Sequence, residues 1–176
     1  RGPRGETDRA RDPRLRVLFC GPLVERQGIA FALEAAGWLA RRPPGLFLRL
    51  LGEGPLLRPA RALAAHLGIR DQVEIPGRGK ASASHDALLQ ALAESDVFVC
   101  PSITAADGDR EAGPPPALLL AQAAALPIVA TRHADLPEAV IDGQTGYLVE
   151  ERDVEGLVTA LARVRNDPEF SRSLGL

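Results

Sequence analysis

Short apolar runs alternate with amphipathic segments along most of the chain. Apolar runs of about three to seven residues that end at Gly, Pro or polar residues are typical of buried strands, and longer segments with apolar positions three or four apart are typical of helices. The runs predict strands at 15–21, 46–51, 73–75, 97–100, 128–131 and 146–149. The amphipathic segments predict helices at 28–40, 56–67, 85–93, 117–124 and 154–164, with a further helical piece starting at 167–168.

The alternation of strands and helices predicts a single α/β domain. Parallel strands joined by right-handed helical crossovers form a Rossmann-like parallel sheet with helices on both faces, and this is the expected architecture. We place the domain at residues 15–176. Residues 1–14 have no apolar period and carry Arg residues interrupted by Glu6, Asp8 and Asp12, so we expect a linker or a disordered end there.

The polar loop after the strand at 97–100 is the first candidate for chemistry. It carries Asp107, Asp109, Arg110 and Glu111, followed by Gly113 and three prolines before an Ala/Leu helix. Ligands of open parallel sheets bind outside the carboxyl ends of the strands, and a helix N-terminus favours an anion such as phosphate. Glu111 would then contact a neutral or cationic group attached to that anion. A Glu ahead of a helix can also be only a partner of the helix dipole.

Several segments, taken in order, resemble the C-terminal domain of the family 4 retaining glycosyltransferases, which have the GT-B fold. Besides the loop and helix at 101–138, they are 21–28 (GPLVERQG), 51–55 (LGEGP), 93–102 (AESDVFVCPS), 133–138 (HADLPE) and 142–146 (DGQTG). The resemblance extends from about residue 17 to 169. It implies one half of a GT-B fold, a nucleotide-diphosphate sugar as donor substrate, no cofactor, no metal for transfer, and an acceptor-binding N-terminal domain that is absent from this chain.

The resemblance also implies a set of site residues. Glu111 matches the first Glu of the family signature, which is linked to the transferred sugar, and is the catalytic candidate. Gly77 and Arg78 match a backbone contact to the nucleotide base, although an ordinary surface turn is an equally good interpretation. The candidates for donor binding are Gly21, Arg26, Gly77, Arg78, Ala112, Gly113, Ala117 and Leu120.

Four features depart from the family pattern. The family carries cations at the positions of Pro22 and Gln27, where they neutralise charge on the leaving diphosphate. A second Glu about eight residues after the first holds the ribose hydroxyls in the family, and we match its position to Leu120. The prolines at 114–116 remove three backbone donors. Arg26 stands beside Gln27, but we expect its side chain to point away from the phosphates.

Three functions are considered, and the first is the one we predict. The first is a glycosyltransferase domain that binds a nucleotide-sugar donor for transfer to a carbohydrate or lipid-linked acceptor, and that is inactive as a fragment alone. The second is a degenerate domain of the same fold that acts as a binding or interaction module, and the four departures favour it. The third is a sugar-phosphate or epimerase domain, which the Glu/Gly/Pro loop fits less well.

Two further groups have alternative interpretations. Asp107, Asp109 and Glu111 suggest a metal cluster, but a solvated acidic loop is the preferred interpretation. His133 follows a strand end, where it would face a ligand or be an ordinary exposed histidine.

The composition of the chain limits its expected binding partners and its expected cellular compartment. A net charge of -2 and only seven aromatic residues, five Phe, one Trp and one Tyr, give no reason to expect nucleic acid. The sequence has no apolar run long enough to span a bilayer. Cys20 and Cys100 end apolar strands and are expected to be buried thiols in a reducing compartment. We expect a cytoplasmic protein, or one peripheral at the inner membrane through the missing domain.

Overall fold

Six strands and six helices alternate along the chain in a computed structural model, which describes residues 13–75, 84–167 and 170. The strands are β1 (Leu15–Cys20), β2 (Leu46–Leu51), β3 (Val73–Glu74), β4 (Val97–Cys100), β5 (Ile128–Thr131) and β6 (Gly146–Val149). The helices are α1 (Ile29–Ala40), α2 (Leu57–His66), α3 (His85–Glu94), α4 (Pro116–Ala123), α5 (Leu136–Ala139) and α6 (Val154–Asn166). Single 3₁₀ turns lie at Glu25–Gln27 and Arg70–Gln72.

All six strands lie parallel in one sheet, in the order β3-β2-β1-β4-β5-β6. Helices cover both faces. Val17 and Phe19 of β1 point into a core shared with α1, α2 and α6, whereas Leu18 points into the opposite core, with α3, α4 and α5. Because both faces are buried, the strands are nearly continuous apolar runs rather than alternating ones.

The strand order reverses beside β1. The chain first passes from β1 to β2 on one side and later reaches β4 on the other side. The loops that leave β1 and β4 therefore lie at the strand-order reversal on the carboxyl edge of the sheet, the usual ligand position in this architecture.

A glycine brings these two loops together. Gly28 has φ 64°, and a Cβ there would lie 1.8 Å from the carbonyl oxygen of Pro101. A hydrogen bond also joins the two loops, since the Ile103 N–H donates to the Arg26 carbonyl at 2.8 Å. The turn after β1 is thus fixed against the start of the acidic loop after β4.

The predicted α/β class and each predicted strand are confirmed, with ends that differ by at most one residue. The helix at Leu136–Ala139 was not predicted, because four residues are too few to show a helical period. None of the helices in the described part of the chain has the length and apolar character needed to cross a bilayer. The expected turn at 76–79 and most of the expected linker at 1–14 and of the helical piece from 167 lie outside the described residues.

Candidate functional site

Two clefts open at the carboxyl edge of the sheet and meet at Pro116, the first residue of α4. The polar cleft, of about 350 Å³, is lined by Arg26, Asp109, Arg110, Glu111, Ala112, Gly113 and the three prolines. The apolar cleft, of about 430 Å³, is lined by Cys20, Gly21, Pro22, Leu51, Gly52, Glu53, Ser84, His85, Leu88, Pro116, Ala117 and Leu120. One elongated ligand could occupy both clefts, with a charged part in the first and an apolar part in the second.

The Glu111 carboxylate is held in the polar cleft by two side chains from the turn after β1. Gln27 Nε2 donates a hydrogen bond to Glu111 Oε1. Arg26 Nε lies 3.4 Å from the same oxygen, and the Glu111 side chain is 13% exposed. These contacts make Glu111 an oriented carboxylate that still reaches the cleft, rather than a simple partner of the α4 dipole.

Gln27 has a role that the sequence did not reveal. Its side chain is 3% exposed, and it lies in the 3₁₀ turn that Gly28 ends. The sequence pattern presented Gln27 only as a missing cation. In the fold it is a neutral donor that fixes Glu111.

Arg26 lines the polar cleft beside Glu111, where our sequence interpretation did not place its side chain. The reason is local: residue 26 lies in a 3₁₀ turn, not in the first turn of α1. Arg26 Nη1 contacts Asp109 Oδ2 at 2.6 Å. The hydrogen bond to Asp109, more than any other contact, raises the pKa of Arg26 above its ordinary value. The cation is present, but two carboxylates already bind it.

His133 is buried, so the alternative of an exposed histidine is wrong. Its side chain is fully shielded from solvent. The Glu111 backbone N–H donates to His133 Nε2 at 3.1 Å. Since Nε2 accepts, the ring proton is on Nδ1, which lies 2.6 Å from Glu151 Oε1. The His133 side chain thus contacts the backbone of the candidate Glu111.

Glu151 is a further residue of the site that sequence reasoning missed. Its carboxylate accepts from the Thr104 N–H at 3.0 Å and lies 3.1 Å from Arg152 Nη1. Burial raises the pKa of Glu151, but the hydrogen bonds from His133 and Thr104 and the charge of Arg152 outweigh it, so this pKa lies below its usual range. The only signal in the sequence is its position, just after the last strand.

The start of α4 offers few backbone donors. Residues 114–116 are prolines without N–H groups, and the Leu118 N–H is already used by the Pro115 carbonyl at 2.9 Å. Proline fits the first turn of a helix, so the sequence stabilises the helix start while removing the donors that usually hold a phosphate. An anion bound here would depend on side chains more than on the helix N-terminus.

Leu120 faces the apolar cleft. It lies nine residues after Glu111, one more than the expected interval of about eight. Leu119, at the interval of eight, is 49% exposed and does not line the cleft. The match of Leu120 to the ribose-binding position stays a prediction, and of the two leucines only Leu120 lines the cleft.

The predicted site residues fall into three groups. The polar cleft contains Glu111, Arg26, Ala112 and Gly113. The apolar cleft contains Gly21, Ala117 and Leu120, together with the departing residue Pro22. Gly77 and Arg78 lie outside the described residues.

The acidic residues of the loop after β4 and the two cysteines make contacts that are typical of structural residues. The Asp107 carboxylate accepts from the Asp109 N–H at 2.9 Å, and the described residues contain no group of three or more His, Cys, Asp or Glu side chains arranged to hold a metal. Cys20 and Cys100 are free thiols, and burial raises the pKa of each to about 11.

A family model described as glycosyl transferases group 1 matches residues 14–167. The chain is 38% identical over 158 residues to a Salmonella typhimurium protein named as a colanic acid biosynthesis glycosyltransferase, WcaL, covering 90% of this chain and 36% of that protein. It is 33% identical over 160 residues to the GDP-mannose-dependent alpha-(1-6)-phosphatidylinositol monomannoside mannosyltransferase of Mycolicibacterium smegmatis, covering 91% of this chain and 41% of that one. The chain thus spans roughly two fifths of the length of these relatives.

Solved structures share the fold. Sucrose-phosphate synthase from Thermosynechococcus elongatus superposes with a TM-score of 0.76 at 25% identity, over 95% of this chain and 41% of that one. The C-terminal domain of a group 1 family glycosyl transferase, LpcC, from Francisella tularensis gives a TM-score of 0.76 at 20% identity, over 91% and 80%. Anabaena HepE, solved in complex with UDP, gives 0.76 at 17% identity, over 92% and 42%.

Proposed function

The chain belongs to the group 1 glycosyl transferases, with the fold of one half of a GT-B enzyme, and we propose that it binds a nucleotide-diphosphate sugar for retaining transfer. The proposed acceptor is carbohydrate or lipid-linked, such as a growing polysaccharide or a glycolipid, and is bound by another domain of a longer protein. The names of the relatives, which include a colanic acid transferase and a phosphatidylinositol mannoside transferase, support this acceptor class. Family membership argues against the sugar-phosphate or epimerase interpretation.

The observation that carries the proposal is the junction of the two clefts at Pro116, with Glu111 in the polar one. A sugar nucleotide has a similar division, since its nucleoside is uncharged and its diphosphate carries negative charge. We place the nucleoside in the apolar cleft and the diphosphate and sugar in the polar cleft. This arrangement positions the sugar beside an oriented carboxylate, and no cofactor takes part.

Arg26 is the proposed partner of the diphosphate. Negative charge builds on the leaving phosphate as the glycosidic bond breaks, and a fixed cation at that position stabilises the transition state. Arg26 now pairs with Asp109, so donor binding requires an exchange of one anion for another. Gly113 and Ala112 line the same cleft and are proposed to contact the donor through their backbone.

Glu111 is the proposed contact of the transferred sugar. Glycosyl transfer passes through a transition state in which the sugar ring carries positive charge. A carboxylate held by Gln27 and Arg26 can stabilise that charge without reorganising, because its orientation is set before the donor arrives.

A second candidate function is a degenerate domain that binds without catalysing transfer. The contacts of Arg26 favour it, because a cation already paired with two carboxylates attracts a diphosphate weakly. Leu120 offers no acceptor to a ribose hydroxyl, and Pro22 offers no charge.

The proposal can be tested by calorimetric titration of the chain with UDP, GDP and ADP, and with the glucose or mannose derivative of each nucleotide. We expect one nucleotide to bind at micromolar concentration and its sugar derivative to bind more tightly. Glu111→Gln should remove this additional affinity. Glu150→Gln is the control, because Glu150 is 75% exposed and lines neither cleft. Absence of binding at millimolar nucleotide to a folded chain would favour the degenerate module.

The proposed location is the cytoplasm, with attachment at the inner membrane assigned to other parts of a longer protein. Free Cys20 and Cys100 fit a reducing compartment.

A further inference from the structure

One chain of hydrogen bonds ties together the loops that follow β4, β5 and β6. The Glu111 N–H donates to His133 Nε2 at 3.1 Å. The opposite ring nitrogen of His133 lies 2.6 Å from Glu151 Oε1, and Glu151 Oε2 accepts from the Thr104 N–H at 3.0 Å. Because these three strands are parallel neighbours, their carboxyl ends bring the loops to one place.

We propose that His133, oriented by Glu151, is a positioning residue that holds the backbone of Glu111 and thereby aims its carboxylate at the transferred sugar. The sugar contact itself rests on the proposed function. The positioning of Glu111 stands on the contacts alone.

Glu111 needs an anchor because its loop is otherwise solvated. Residues 106–110, which precede it, are exposed. Gln27 and Arg26 hold only the carboxylate, from the side of β1. His133 holds the backbone from the side of β5 and is shielded from solvent, so water cannot easily replace it as an acceptor. The two sets of contacts together fix the backbone and the carboxylate of Glu111.

Glu151 selects the tautomer of His133 that can accept the Glu111 N–H. A neutral imidazole carries its proton on one nitrogen and accepts on the other. The Glu151 carboxylate can only accept, so it places the proton on Nδ1 and leaves the Nε2 lone pair for the Glu111 N–H. Glu151 is itself fixed by Thr104 and Arg152, which keeps the imidazole ring in one orientation.

Two substitutions of His133 separate its contact with Glu111 from its contact with Glu151. His133→Gln has an amide oxygen that reaches about as far as Nε2 and can accept the Glu111 N–H. His133→Asn reaches only about as far as Nδ1, so it keeps a donor for Glu151 and loses the acceptor for Glu111. The two variants introduce the same amide group, and thermal unfolding shows whether each one folds.

The first readout is amide hydrogen exchange at Glu111, measured by NMR on the chain without nucleotide. We expect exchange to be about five- to tenfold faster in His133→Asn than in the unmodified chain, which corresponds to the loss of one hydrogen bond, and near the original rate in His133→Gln. Unchanged exchange at Glu111 in a folded His133→Asn variant would overturn the proposal, whether or not any nucleotide binds.

The second readout is the affinity gained from the sugar, as the ratio of dissociation constants for GDP and GDP-mannose or for UDP and UDP-glucose. We expect His133→Asn to reduce this gain about five- to tenfold, His133→Gln to restore it, and the nucleotide constants to stay the same. If Glu111→Gln removes the gain and a folded His133→Asn keeps it, the positioning role is wrong. If no nucleotide binds, the proposed function fails and amide exchange alone decides the positioning.

Glu151→Ala keeps the test decisive if both His133 variants fail to fold. It leaves the imidazole in place and removes the group that selects its form, so we expect faster exchange at Glu111. Exchange at Glu111 equal to that of the unmodified chain would overturn the part assigned to Glu151.

Discussion

Arg26 and Asp109 are 83 residues apart in the chain, yet Arg26 Nη1 lies 2.6 Å from Asp109 Oδ2. The pair bridges the turn after β1 and the acidic loop after β4. Under the proposed function, Asp109 competes with the donor diphosphate for the Arg26 guanidinium.

Asp109→Asn should therefore tighten the binding of a nucleoside diphosphate. The substitution removes the competing charge and leaves Arg26 in place. Because the Asp109 side chain is 50% exposed, solvent weakens the pair, and we expect a gain of only about two- to fivefold. Calorimetric titration at low salt measures it.

Asp107→Asn is the matched control for this prediction. It removes one charge from the same loop, and its amide oxygen can still accept the Asp109 N–H as the carboxylate now does. Asp107 does not line the polar cleft. An equal gain in both variants would mean that general repulsion, and not the Arg26 contact, limits the affinity.

Leu120→Glu should also raise affinity for nucleotide. It supplies the apolar cleft with a carboxylate at the position matched to the ribose acceptor, and charged hydrogen bonds contribute on the order of 1.5–3 kcal/mol. After the cost of placing a charge among apolar side chains, we expect about tenfold tighter binding of whichever nucleotide binds the unmodified chain. Adding Pro22→Arg should increase the effect.

Leu119→Glu is the control, since Leu119 is adjacent but 49% exposed and outside the cleft lining. A gain from Leu119→Glu and none from Leu120→Glu would show that the helix position was matched wrongly. Gln27 is left unchanged in this series because it holds Glu111.

Gly28→Ala should destabilise the chain and loosen the site. Gly28 has φ 64°, which strains an alanine, and the new Cβ would lie 1.8 Å from the Pro101 carbonyl oxygen. We expect a loss of about 3 kcal/mol or more in the free energy of unfolding, measured by urea denaturation. Gly68→Ala has a similar φ of 72° but nothing within 4 Å of the new Cβ, so it should cost only about 1 kcal/mol. Equal losses would mean that the contact with Pro101 relaxes easily.

Much of the fold could be predicted because burial leaves a clear pattern in this sequence. Strands β4 and β5 are buried at every position. The four apolar residues of β4 lie between Asp96 and Pro101, and the three apolar residues of β5 lie between Pro127 and Thr131. Helix α5 has no such signal, since a helix of four residues contains a single turn. Its position depends on tertiary packing, with Leu136 fully buried in the core beside β5.

Candidate site residues could be named from the sequence where a motif marks residue types, and they were missed where contacts are long-range. Glu111 became a candidate because the loop and the proline-rich helix start surround it. Gln27 could not be assigned its role, because it meets Glu111 across 84 positions and only after Gly28 has packed against Pro101. His133 was left between two interpretations because its contact with Glu151 joins two different strand ends and leaves no local signal in the sequence.

Acid should weaken the chain partly through Glu151. Its pKa in the folded chain lies below the ordinary value of 4.5 for a glutamate, so its contacts stabilise the fold fully above about pH 4.5 and lose this effect as the pH falls through the folded value. Urea denaturation from pH 7 to 3 should give a constant difference between the unmodified chain and Glu151→Gln above pH 5, and a shrinking difference below it. Glu151→Gln keeps the length and shape of the side chain and one oxygen that can accept from either His133 or Thr104, while it removes the titrating charge. A difference that stayed constant down to pH 3 would mean that the contacts with His133, Thr104 and Arg152 do not favour the charged carboxylate.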